Sequence, residues 1–165
     1  MKIFLRTAGC ALGLLLAHAL QAQALWPGTS SGMSVEEVQK LFPEAHAPEV
    51  ESVLPANRGT ELLELDQAVI AGYPFRVGFF FKDGQLVMVA LADTGEILMK
   101  DFEKFRDLLR TKYGLEYSTT SSETLQLTWK AIKTVILLTW VPHGHGLASL
   151  SITYEAPIPK ETDRL

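Results

Sequence analysis

The hydrophobic period of the chain changes several times, and each change marks an element. Ser34-Val35-Glu36-Glu37 reads as a capping box, in which the Ser34 hydroxyl accepts from the Glu37 amide and the Glu37 carboxylate reaches back to the Ser34 amide. Val35, Val38, Leu41 and Phe42 follow at helical spacing until Pro43 stops the run. Residues 43–60 carry Pro43, Pro48, Pro55 and Gly59, which predicts an irregular extended connection with one helical turn near Val50 to Leu54. The period then becomes two. Glu61 to Ile70 is a first strand, Gly72-Tyr73-Pro74 a turn, and Phe75 to Phe81 a second strand with Phe75, Val77, Phe79 and Phe81 on one face. Lys82-Asp83-Gly84-Gln85 is a hairpin loop, and Leu86 to Leu91 a strand apolar on both faces. Phe102, Phe105, Leu108, Leu109 and Tyr113 return to helical spacing, with Gly114 suited to end the helix. Three more strands follow at Thr124–Lys130, Thr134–Val141 and Leu147–Tyr154, the last two joined by a hairpin over Pro142 to Gly146.

Element for element, this is a helix plus three antiparallel strands, written twice. The units run over about 32–92 and 98–155, within one domain at 25–155, and 156–165 reads as a polar tail. Two amphipathic helices need an apolar sheet face to cover. The fold class expected is therefore α+β, with both helices on one face of an antiparallel sheet of about six strands. The opposite face would carry Arg76, Gly78, Phe80, Gln126, Thr128, Lys130, Ser149, Ser151 and Thr153. An antiparallel sheet can leave such a face in water.

The first 24 residues read as a secretory signal rather than as part of this domain. Lys2 and Arg6 precede a leucine- and alanine-rich run, and Ala22-Gln23-Ala24 offers the small-x-small pattern of a cleavage site after Ala24. The run before Cys10 lacks the order of a lipoprotein box, because most of the apolar residues follow the cysteine, so no lipid anchor is expected. The compartment implied is the periplasm or the exterior, with no membrane span after processing. Cleavage would also remove Cys10, the one cysteine, leaving no disulfide and no thiolate chemistry. Stability would then rest on the core, which the composition allows: 47% of residues are hydrophobic and 21% charged. The formal charge of −4 grows more negative when Lys2 and Arg6 leave, which argues against nucleic acid as a partner.

Gly32-Met33-Ser34 with Val38, after a signal peptide and before a proline-rich connection and antiparallel strands, resembles the small envelope proteins related to the outer-membrane assembly factor BamE. Two such units in tandem also resemble the architecture of β-lactamase inhibitory proteins. The first group is lipid-anchored and the second carries disulfides, and this chain matches neither feature. The resemblance implies a non-enzymatic protein that works by surface contact with another envelope protein.

The residues themselves supply no nucleophile elbow and no phosphate loop. No catalytic residue, cofactor or metal is therefore assigned. His143 and His145 are the metal-ligand candidates, but they lack a third ligand nearby in sequence. Glu61, Glu64 and Asp66, with Glu49 and Glu51, are the candidate acid–base cluster. Contact candidates on the bare sheet face are Arg76, Phe80, Thr128, Ser149 and Ser151. The function expected is protein binding or scaffolding. An inhibitor or immunity protein, and a small periplasmic hydrolase or metal-binding protein, are the alternatives.

Overall fold

A computed structural model describes residues 25–120, 124–145 and 147–157, the backbone alone for 117–120. The expected signal peptide and residues 158–165 of the expected tail lie outside the described residues. Among the described residues, two helices, α1 (Val35–Leu41) and α2 (Met99–Tyr113), and one 3-10 turn (Pro55–Asn57) accompany seven strands. The strands are β1 (Thr60–Ile70), β2 (Tyr73–Lys82), β3 (Gln85–Asp93), β4 (Tyr117–Thr120), β5 (Leu125–Ala131), β6 (Thr134–Gly144) and β7 (Leu147–Glu155). They form one sheet in the order β1-β2-β3-β7-β6-β5-β4, with every neighbouring pair antiparallel. Among the described residues no helix is long and apolar enough to cross a membrane.

Both helices lie on the same face of the sheet. Phe42, which caps α1, stacks on Phe79 of β2 with ring centroids 5.3 Å apart. From α2, Phe105 meets Phe75 edge-on at 5.4 Å, and Phe102 meets Trp140 of β6 at 6.4 Å. The alternation read from β2 holds: Phe75, Val77, Phe79 and Phe81 are all buried in the core cluster between sheet and helices. Leu127, Trp129, Ile136, Leu138, Leu150 and Ile152 extend that cluster across the other strands. Trp26 closes one end by packing against Phe42 and Phe79. The Ser34–Glu37 capping box forms as expected, at 2.8 and 3.2 Å.

Several boundaries differ from the sequence reading, each for a local reason. The first hairpin turns at Ala71-Gly72, both with positive φ, so Tyr73 and Pro74 belong to β2. Asp83-Gly84 repeats that backbone, a tight form whose twist suits paired strands. The last hairpin is also shorter than expected: β6 continues through Gly144 and turns beyond it at His145. No helical turn occurs at 50–54; the 3-10 turn falls at Pro55, where proline at the first helical position fits. The polar stretch around Ser118, where the sequence reading places no strand, supplies the short edge strand β4.

The connection at 43–60 is the largest surprise, because it is not simply irregular. His46 pairs with Glu64 through two backbone hydrogen bonds of 3.0 and 2.8 Å, and the Glu61 amide donates to Ser52 O at 2.8 Å. The segment thus straps the outer edge of β1 and satisfies backbone groups that would otherwise face water or another chain.

Candidate functional site

Away from the helices, the sheet face divides into two regions of different character. The first lies on β1 and β2. A register shift between Glu61 and Leu63 places an extra residue in β1, so Glu61 and Glu64 both fall on the helix-free side. Without that bulge, residues three apart on a strand would point to opposite faces. Glu61 lies opposite Phe80 and Glu64 opposite Gly78. Arg76 answers both carboxylates: its Nε donates to Glu64 Oε2 and its Nη2 to Glu61 Oε1, each at 2.5 Å. Gly78 makes room for this arrangement, since a Cβ there would collide with Glu61 Oε1 and press on the Phe80 ring.

Glu61 and Glu64 are only 2% and 6% exposed. Burial pushes the Glu61 carboxyl up, the Arg76 ion pair pulls it down, and the net direction is up. Arg76 loses hydration by its partial burial, but its two carboxylate partners outweigh that loss and hold its charge more firmly than usual. The strap adds the third side of the cluster. His46 lies with Nε2 3.0 Å from Asp66 Oδ2 and Nδ1 3.0 Å from the Ala47 carbonyl oxygen. Those hydrogen bonds, Ala47 first and Asp66 second, raise the affinity of His46 for a proton. Glu64 Oε1 is 3.8 Å from Nδ1. His46, Glu49, Val50, Glu64, Asp66 and Arg76 line a shallow cleft.

The second region spans β3, β7, β6 and β5. Reading across the strands, Ala90 is followed by Thr153, Leu137 and Thr128, and Ala92 by Ser151, Thr139 and Gln126. These are small, hydroxyl-bearing or half-buried side chains, with no helix over them. Val135, Leu137 and Val141 place a partly exposed apolar row along β6 in their midst.

The expected site residues therefore separate. Thr128, Ser149 and Ser151 lie on the second region around β6, and the Ser149 hydroxyl is 2.6 Å from His143 Nε2. Arg76 and Phe80 lie on the first, across β3 from the others. Phe80, expected as an aromatic offered on an open face, is 6% exposed, so the open-face reading does not extend to it. Arg76 is engaged by two carboxylates of its own chain. Of the acidic candidates, Glu61, Glu64 and Asp66 do share one region, and Glu49 lies at the cleft. His143 and His145 sit at the tip of the β6–β7 hairpin, and no group of three potential ligands among the described residues includes them. What sequence reasoning missed is His46. Only the long-range pairing of the strap with β1 brings it to Glu64 and Asp66, and no local spacing encodes that.

Comparison of the chain with family models, with curated proteins and with solved structures finds no match.

Proposed function

We propose that this is an exported, non-enzymatic protein-binding or scaffolding protein of the bacterial envelope, which engages another protein through the helix-free face of β5, β6 and β7. The observation that supports the reading is the partly exposed apolar row of Val135, Leu137 and Val141, set among Thr128, Thr139, Ser149 and Ser151 on strands interior to the sheet. Such a row on a rigid support, rimmed by hydroxyls, has the make-up of a contact surface. The strap closes the β1 edge, which leaves the face rather than that edge for contact. An inhibitor or immunity protein would use the same surface and differ only in its partner.

The element order also supports a duplicated helix-plus-three-strand unit. Each unit would be a meander, and the two would meet through their last strands, β3 and β7. That is the arrangement a two-fold relation between the units produces. Export follows in this reading from the N-terminal signal, with a mature chain beginning at Leu25 and no lipid.

The test pairs crosslinking in the periplasm with the double variant Thr139→Lys and Ser151→Glu, an opposite-charge pair across β6 and β7. Both side chains are partly exposed, so the melting temperature should stay near wild type. Wild type should give a discrete crosslinked partner that the variant loses. A partner retained at full yield by the variant would reject this face.

A further inference from the structure

The cleft beside the strap holds a second, independent feature. We propose that His46, Glu64 and Asp66 form a binding site for a divalent transition-metal ion of the zinc type. One ligand atom from each residue lies within 4.8 Å of the other two. An imidazole with two carboxylates is a donor set suited to such an ion, and three protein ligands leave coordination positions for water on the cleft side.

Three observations carry the assignment beyond a mere gathering of acids. The first is the imidazole's orientation. Nδ1–H donates to the Ala47 carbonyl and Nε2 lies 3.0 Å from Asp66 Oδ2, so the Nε2 proton shared with Asp66 is the one a bound ion would displace. A backbone carbonyl holding the far ring nitrogen is how metal-bound histidines are commonly oriented. Two ligand atoms each about 2.1 Å from one ion lie roughly 3.0–3.5 Å apart, which the Nε2–Oδ2 separation already satisfies.

The second is positional rigidity. His46 and Glu64 are held opposite one another by reciprocal backbone hydrogen bonds, so the strap and β1 present both ligands from fixed backbone. Glu64 is buried, with Oε2 anchored by Arg76 and Oε1 left 3.8 Å from the Nδ1 side of the imidazole.

The third is charge. The region holds the carboxylates of Glu61, Glu64 and Asp66 against the single guanidinium of Arg76. Arg76 offsets one negative charge, and once an ion displaces the His46 proton two remain for a divalent ion to neutralise.

The test uses untagged protein, stripped with chelator and titrated with zinc chloride by calorimetry near neutral pH. Wild type should bind one ion per chain. His46→Gln and Asp66→Asn should each weaken binding roughly tenfold or more. Both residues are largely exposed, at 45% and 71% of the side chain, so both variants should keep the wild-type melting temperature without metal. The double variant His143→Gln, His145→Gln should bind as wild type does. Cobalt(II) replacing zinc should give visible absorption bands that the Asp66→Asn variant loses. Failure of wild type to bind one ion saturably would overturn the proposal. So would binding that survives His46→Gln and Asp66→Asn, or that is lost only with His143 and His145. The protein-binding reading is untouched by any of these results, because its face lies on other strands.

Discussion

Arg76 stands between two carboxylates that would not tolerate each other without it. Taking Glu61 and Glu64 out of water costs several kcal/mol per ion, and only a well-made ion pair with further hydrogen bonds offsets that. Replacing Arg76 with Met keeps the apolar stem and removes the charge, leaving two buried anions on neighbouring positions of β1. We expect a loss of about 3 kcal/mol at neutral pH, at the low end for a buried network because the guanidinium itself keeps a third of its surface in water. Urea unfolding checks this, and a change under about 0.5 kcal/mol, as for an ordinary surface site, would show that the network is incidental. The residue types in this cluster were all visible in the sequence, and Glu61, Glu64 and Asp66 were recognisable as a group. Their arrangement was not. It depends on a bulge at Leu62, which simple alternation does not announce, and on His46 arriving from a proline-rich stretch through pairing that is long-range in sequence.

At the scale of elements, the strands of alternating character and the capped helix were legible because one period and one cap decide them. β2 is the clearest case, with its four core residues at strict spacing of two. The elements that escaped, β4 and the strap, have no hydrophobic face of their own and owe their form to a neighbouring strand's backbone. The end of α2 shows how such weakly encoded pieces are fastened. Arg110, in the last turn, reaches over Gly114 to Glu116 with two hydrogen bonds of 2.8 and 2.5 Å, just ahead of β4. The Arg110 bond holds the Glu116 carboxyl below its usual range, against the opposing effect of its partial burial. A carboxyl depressed in the folded state stabilises above its unfolded value and loses that contribution as pH falls through its lowered value. Glu116→Gln should therefore lower the melting temperature at pH 7, and the difference should shrink at acid pH as the folded carboxyl takes up its proton. A difference that is the same at neutral and acid pH would show that shape rather than charge holds this corner.

For the whole molecule, the decisive contact is the pairing of β3 with β7. Five residue pairs, from Met88–Glu155 to Ala92–Ser151, join the strands formed early in the chain to those formed late. Leu91 and Ile152 face each other there, both almost wholly buried in the shared core. Leu91→Ala should cost about 2–5 kcal/mol, and it should do so for the sheet as one cooperative unit rather than for one side of it. Denaturant unfolding followed by circular dichroism measures the loss. Two separated transitions in the wild type would show that the sides fold independently. The overall plan, helices over one face of an antiparallel sheet, followed from the sequence because amphipathic helices and half-apolar strands have few ways to bury each other. The order of strands across the sheet was not readable, since either edge of each meander could have met the other.

The placement of the three tryptophans gives this molecule a pair of built-in optical gauges. Trp26 packs against Phe42 at a tilt and meets Phe79 edge-on, on the side of the seam that contains β1 to β3. Trp129, donating its indole N–H to Gly114 O at 3.0 Å, and Trp140, against Phe102, both belong to the other side. Emission from a chain retaining Trp26 alone, set beside emission from one retaining Trp129 alone, therefore times the loosening of each flank without any attached dye.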